Sequence, residues 1–548
     1  MPRRDVTTAD GDDDAGAAAD EQRAHQFAGP SAVDHTPFLV GAPSQFAEHA
    51  HLAQHVEGAD HAPVVDVEHT DAQSVPGTDL PTAMTNPLNP ALRIPTRRTT
   101  ELVMLVFAVL VVVAAEAAVE ATRDGHLSTR LITYAAVPIG VGVITHLVIR
   151  RVAPYADPLL LPIVVLLNGL GLVMIHRLDQ GLKTFDEQNG ISYPGAQAPT
   201  QVVWTALGVL LFVVLIVVVR DHRVLQRYAY TLALIGIFLL LLPAVLPARF
   251  SEINGARIWI RIAGFSLQPG EFAKILLTIF GAAYLVQKRD VLALAGRRMM
   301  GIDFPRGRDF GPLLFAWLVC IGVLVRGHDL GTSLLFFGLF VVLLYIATER
   351  ASWVIVGIVL FAVGAYLAYQ LFGTVQTRVS VWLHTFAPQY DASAYQLRQS
   401  LFGLGTGGIF GAGLGNGHPE LVPLPATDFI ISSFGEELGL FGLAGLLVLY
   451  AGFVARGISA GLAVRDAFGK LLACGLAFLI ALQIFVVVAG VTRLLPETGL
   501  TTPFLSYGGS SLLGSWAMLA LILRISDAAR RPATTPPPKP AEAQAVPA

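Results

Sequence analysis

Charge is scarce in this chain: of 548 residues, 14% are charged, and only 2 are cysteine. A soluble domain carries roughly a quarter charged residues. Cys320 and Cys474 both fall in apolar runs, so no disulfide framework is implied. Residues 1–90 contain no apolar core of the length a cleavable signal peptide needs. The formal net charge of −3 says little, because charge is segregated along the chain, and no nucleic-acid partner is expected. No spacing of His, Cys, Asp or Glu proves a metal site.

What is abundant is apolar: 54% of the residues are hydrophobic and the mean hydropathy is +0.60. Most of the chain is therefore solvated by lipid. A membrane-crossing helix needs about 20 mainly apolar residues. Candidate stretches centre near residues 110, 140, 166, 210, 236, 279, 319, 338, 362, 442, 480 and 518, about twelve in all. Open sheets cannot cross lipid, so the expected fold class is all-α, a polytopic membrane helix bundle.

Lys and Arg fix the orientation. Arg97 and Arg98 precede the first span, Arg150 and Arg151 follow the second, and "RDHRVLQR" follows the fourth. Basic segments also follow the sixth, eighth, tenth and twelfth spans. Both termini are then cytoplasmic. The connections 175–200, 246–270, 372–428 and 490–510 are external. The longest of these, 372–428, is too long for a simple link. It reads as short helices at the outer surface, with a Gly-rich piece, "GLGTGGIFGAGLGNG", whose backbone N–H groups suit an anionic lipid head group. The acidic segment 1–96 and the Pro-rich segment 528–548 read as disordered cytoplasmic tails. Half of the 14 histidines lie in the first tail.

Four clusters place charge or polar groups at membrane depth or its edge, where each charge costs a few kcal/mol on insertion scales, about 2.5–3.5 at a helix centre. In "FSLQPGEFAKILL", Pro269 suits a helix start, and Glu271 and Lys274 share one face and can pair. In "RGHDLGTSLLFF", Asp329 suits a helix N-terminus. In "VTRLLPETGLTTPFLSYGGSS", Arg493, Glu497, Ser506, Gly508 and Ser510 line an external turn. In "PATDFIISSFGEELGL", Thr427 can cap the helix, leaving Asp428 free at the outer boundary. At 100° per residue, Glu436 falls about 80° from the face of Asp428 and Glu437 falls opposite, so the two glutamates cannot both share its cleft. Each cluster also has a bland reading: self-neutralising pair, helix cap, turn chemistry, packing.

Taken in order, these clusters resemble the SEDS family of RodA, FtsW and SpoVE. The matching segments are "NGARIWIRIAGFSLQPGEFAKI", "HDLGTSLL", "YQLRQSLFGLGTGGIFGAGLGNG", "TDFIISSFGEELGL" and "TGLTTPFLSYGGSSLL". The likeness covers roughly 157–525 and is nearest to actinobacterial RodA members. Gly270, Ile258 and His328 depart from residues common in the family, with Arg257 one place before the position where it often has Arg. The family core has ten spans. The resemblance therefore implies two additional helices over 97–150 and a glycosyltransferase core over 151–527.

It also implies a peptidoglycan glycosyltransferase that polymerises lipid II outside the membrane, during cell elongation, beside a class B penicillin-binding protein acting as transpeptidase. Its essential Asp maps onto Asp428. Glu271, Lys274 and Asp329 match further motif positions, and Arg257, Arg493, Ser506, Gly508 and Ser510 are carried as substrate-binding candidates. The expected reaction inverts the anomeric carbon in one displacement, with Asp428 as general base. Lys274, external arginines (Arg257, Arg261, Arg378, Arg398, Arg493) or a divalent cation, Mg2+ or Mn2+, would neutralise the departing polyprenyl pyrophosphate. The rival expectations are a flippase or transporter for the same lipid, a noncatalytic scaffold, and a division-type FtsW.

Overall fold

The computed structural model describes residues 96–532, apart from 124, 128, 191, 254–255, 263–264, 294–296, 300–301, 305–310 and all of 312–328 except 315, 318 and 322. Most of both tails, the span expected near 319 and Cys320 lie outside the described residues.

The long helices are α1 (Arg98–Arg123), α2 (Arg130–Val152), α3 (Leu160–Asn189), α4 (Ala198–Val218), α5 (Ala229–Val245), α6 (Gly270–Ala293), α7 (Leu330–Thr348) and α8 (Ser352–Leu371). Two helices of the long connection follow, α9 (Gly373–Leu383) and α10 (Asp391–Gly407). The chain then forms α11 (Ile430–Ala463), α12 (Ala467–Val491) and α13 (Gly509–Arg530). Ten helices among the described residues are long and apolar enough to cross a membrane, and α5 is an eleventh, shorter apolar helix. The chain is a multi-pass membrane protein with a helical bundle fold. The only described strands form three antiparallel two-stranded hairpins, two of them within 252–267 before α6.

Two boundaries move. The polar run "HRLDQGLKTFDEQN" does not end α3 near 175: the helix continues to Asn189 and stops at Gly190, whose φ of 68° supplies a left-handed cap. Arg177, Asp179 and Asp186 are buried there, so side-chain partners rather than lipid solvate this stretch. At the other end, α13 continues to Arg530, three residues into the segment read as tail.

The core lies around α13, 89% of whose apolar window is buried, against 6% for α8. α13 packs on α4 and α11, while α11 also packs on α12. α1 and α2 pack on each other and on α3. Glu116 on α1 meets His176 Nδ1 on α3 at 2.6 Å, and the His176 ring stacks on Tyr134 of α2 with centroids 4.1 Å apart.

α11 is not one continuous rod. Gly439 (φ 66°, ψ −166°) breaks it. The freed backbone groups are paired by the Gly-rich segment after α10: Ala412 and Gly413 N–H donate to the carbonyls of Glu436 and Glu437, and the N–H groups of Leu440 and Phe441 donate to Gly408 and Ile409. Only glycine permits this approach, since a Cβ at Gly407 would lie 2.0 Å from the Gly435 oxygen and one at Gly411 2.2 Å from the Glu437 oxygen. N–H groups expected to meet a lipid head group are thus partly spent on the broken helix.

Candidate active site

The connection 492–508 between α12 and α13 is the hub at which all four charged clusters meet. The start of α7 abuts it, because a Cβ on Gly331 would sit 2.9 Å from the Thr498 oxygen. Gly499, with φ +70°, lies against the end of the 372–428 connection. A Cβ there would be 3.6 Å from Asp428 Oδ2 and 3.8 Å from Glu497 Oε1, so these two carboxylates flank one glycine. Beneath, Gln483 of α12 accepts from Lys274 Nζ at 3.0 Å and donates to the Thr501 oxygen at 2.8 Å. Ser506 Oγ accepts from Thr502 N and donates to the Thr427 oxygen. Tyr507 N donates to Ala426 O at 2.8 Å.

Asp428 sits in this frame two residues before α11. The helix begins at Ile430 with Phe429 at its cap position and no side-chain cap bond, while Thr427 Oγ1 donates to Leu424 O. The expected Thr427 cap is therefore not formed. The approach "LVPLPAT" ends in a series of turns, so the helical projection does not extend back to residue 428. Asp428 is partly buried. Burial pushes its carboxyl up to about 7, the Glu497 carboxylate adds to the rise, and Arg378 and Thr427 oppose it. A carboxyl poised there can exchange a proton near neutral pH.

Asp329 caps α7, accepting from Thr332 N at 2.9 Å and from Gln268 Nε2 at 3.2 Å. Burial raises its pKa too, as does Glu271, while bonds from Thr332 and the charge of Arg378 lower it. Arg378 on α9 thus acts on both aspartates, and its Nη1 donates to the Glu497 oxygen at 3.2 Å. Gln268 N donates to Ser510 Oγ at 2.7 Å, tying the entry of α6 to that of α13. Gly508 is the residue before α13, and its N–H meets Gln201 Oε1 at 3.5 Å.

Glu271 and Lys274 form the expected pair, 2.6 Å apart and both buried in α6. They support the hub from below. Arg257 is elsewhere: it is exposed on a hairpin and pairs with Glu252 at 2.9 Å. Arg493 serves α9, donating to the oxygens of Trp382 and Leu383 at 2.8 and 3.0 Å. Neither joins the groups around Asp428 through these bonds.

Glu436 and Glu437 are structural. Glu436 accepts from His418 N at 2.6 Å, and Glu437 accepts from Gly415 N at 3.0 Å. Arg177, fully buried, pairs with Glu437 and with Glu420, the latter at 2.8 Å, and donates to the Gly417 oxygen. These glutamates hold the Gly-rich segment and leave Asp428 as the carboxylate of that stretch at the hub.

Sequence reasoning did not single out Gln201, Gln268 and Gln483, the amides that connect the clusters. Their signal is a glutamine beside or inside an apolar run, where an amide needs partners. Three non-glycine residues near the hub, Leu424, Arg493 and Phe504, hold φ of 53°, 61° and 65°. Such strain costs of order 1–3 kcal/mol each and gathers at functional sites.

Among the described residues, no group of three or more His, Cys, Asp or Glu side chains could hold a metal ion. Asp428 and Glu497 flank Gly499, and no third such side chain joins them among the described residues.

Comparison with known proteins is consistent with this arrangement. The cell cycle protein family model for FtsW, RodA and SpoVE matches residues 158–531. Peptidoglycan glycosyltransferase RodA of Mycobacterium tuberculosis is 51% identical over 457 residues, covering 83% of this chain and 95% of that protein. An alignment of that extent in a chain of 548 residues must take in α1 and α2, which the family model leaves out. The probable peptidoglycan glycosyltransferase FtsW of Geobacter sp. (strain M18) is 34% identical over 381 residues, covering 69% of this chain and 98% of that one. A solved structure described as a peptidoglycan synthase complex coordinating polymerization and crosslinking aligns with a TM-score of 0.54 at 26% identity, over 69% of this chain and 99% of that chain.

Proposed function

This chain belongs to the FtsW, RodA and SpoVE family of cell cycle proteins, the SEDS family, and on that premise we propose that it is a peptidoglycan glycosyltransferase polymerising lipid II at the outer face of the cell membrane. The observation that carries the site assignment is the meeting of Asp428, Asp329, Ser506 and the Lys274 pair on one short connection. The greater identity to RodA than to FtsW favours elongation over division. A class B penicillin-binding protein is the partner that would crosslink the product. The basic edges of the even connections support an orientation with both termini in the cytoplasm and residues 372–428 outside.

Asp428 takes the proton of the acceptor sugar hydroxyl as that oxygen attacks the anomeric carbon. The bond from that carbon to the pyrophosphate oxygen breaks, and polyprenyl pyrophosphate leaves with the electron pair. One displacement inverts the centre. Arg378 is the cation best placed to meet the negative charge of the leaving group. Lys274 is committed to Glu271 and Gln483 and acts through the hub. Mg2+ or Mn2+ would enter as a counter-ion of the substrate pyrophosphate, which rates with and without each ion would test.

Asp428→Ala and Asp428→Asn proteins, purified and assayed on lipid II, test the reading. Loss of polymerisation by about 100-fold or more with an unchanged melting temperature is expected. Full activity eliminates Asp428 as the base. If the same variants still moved lipid II between leaflets in an assay where the wild type does so, the competing transporter reading would gain.

A further inference from the structure

α1 and α2 lie outside the matched family core and contribute no residue to the hub, yet the groove between them is shaped and charged. Its volume is about 410 Å³, and its walls include Leu105, Val109, Gly142, Val143, His146 and Arg150. That is within the roughly 300–1,000 Å³ range of small-ligand pockets. The floor is formed where the helices come close: a Cβ on Gly142 would lie 3.2 Å from Leu105 Cδ2.

One end of this groove is basic. His146 Nδ1 meets Glu101 Oε1 at 2.7 Å, which levels the C-terminal end of α2 with the start of α1. Arg150 lies one turn beyond His146. The buried acids at this level are already matched: Arg98 pairs with Glu101 and also donates to the Ala156 oxygen, Arg456 and Arg530 pair with Asp157, and Arg531 pairs with Asp527 at 2.7 Å. The Arg150 side chain makes no hydrogen bond or ion pair among the described residues. Arg97 and Arg151 are exposed at the same end. An apolar trough with an uncommitted guanidinium at its mouth matches a lipid with an apolar chain and a phosphate.

We propose that the α1–α2 groove binds one acyl chain of an anionic phospholipid, with Arg150 holding its phosphate. The lipid belongs to the cytoplasmic leaflet, an assignment that rests on the orientation proposed above. It is not the polymerisation substrate. The reactive head group of that lipid must reach Asp428, on the opposite side of a hydrocarbon layer about 30 Å thick.

The test is native mass spectrometry of the full chain after detergent exchange, with retained lipids identified by head group. Wild type is expected to retain an anionic phospholipid. Arg150→Ala and the groove-filling Val143→Trp are expected to lower that retention at least tenfold, with Arg150→Lys between. Retention of zwitterionic lipid or polyprenyl phosphate in its place overturns the proposal, as does equal retention in all variants. If a variant fails to fold, wild type is reconstituted in vesicles containing a photoreactive phosphatidylglycerol. Crosslinks within 102–110 and 139–150 support the site, and crosslinks confined to other segments overturn it. Neither readout needs polymerase activity, so failure here leaves the catalytic reading untouched.

Discussion

Ser506 Oγ donates to the backbone oxygen of Thr427 at 2.6 Å, fastening the turn before α13 to the residue that precedes Asp428. Its oxygen also accepts from Thr502 N at 2.8 Å. Ser506→Ala leaves both backbone groups short of a partner, at a cost of about 1–3 kcal/mol. The expected outcome is a severalfold fall in kcat on lipid II with a smaller change in KM, since the loss is one of positioning. Ser506→Thr should restore part of kcat.

The pH profile follows from the protonation state that the base must have. Asp428 acts only when deprotonated, and burial has raised its pKa to about 7. The polymerisation rate should therefore rise with pH through about 7 and level above it. Glu497 raises that pKa and Arg378 lowers it. Glu497→Gln should move the midpoint to lower pH, and Arg378→Gln to higher pH. Rates measured in a series of buffers would check both directions.

Gly411→Ala should be among the most damaging small substitutions. It places a methyl group 2.2 Å from the Glu437 oxygen at a φ of +84°. A loss of more than about 2 kcal/mol is expected from the combined clash and backbone strain, read as a lower melting temperature in detergent. Gly405→Ala, where nothing lies within 4 Å, is the control and should melt like wild type.

Removing Arg177 strands two acids. Glu437 and Glu420 lose their cation, and Arg177→Ala should cost about 3–5 kcal/mol, the range for breaking a buried pair from one side. Adding Glu437→Gln to Arg177→Ala should recover part of the loss, because the buried charge is then gone. Melting temperatures of the single and double variants would show whether the two effects couple.

Much of the bundle was legible in the sequence because lipid imposes a simple rule on run length. The connections expected over 246–270, 372–428 and 490–510 coincide with observed gaps between long helices. Asp329 as a cap and Glu271 with Lys274 as a pair were legible for a related reason: both depend on spacing within one helix. The α3 boundary was not, because Arg177 and Asp179 read as the end of a span. They remain in the helix through partners 240 or more residues away and 18–19 residues away, respectively.

The candidate site was legible as a set of motifs but not as a place. Nothing local in "TGLTT" says that Gly499 separates Asp428 from Glu497, or that Gln483 links Lys274 to Thr501. Arg257 and Arg493 were named by charge and proximity to motifs, and the fold uses them on a hairpin and against α9 instead. The Gly-rich segment misled for a physical reason. Its composition announces close approach without saying what approaches, and the neighbour is a broken helix.

The ammonium of Lys274 and the carboxylate of Glu271 sit 2.6 Å apart within the bundle. As a unit the two carry no net charge, so the electric field of an energised membrane does almost no work on them. A lone ion crossing that field would gain or lose about 2.3 kcal/mol for every 100 mV. Displacing the pair as a unit therefore couples little to the membrane potential.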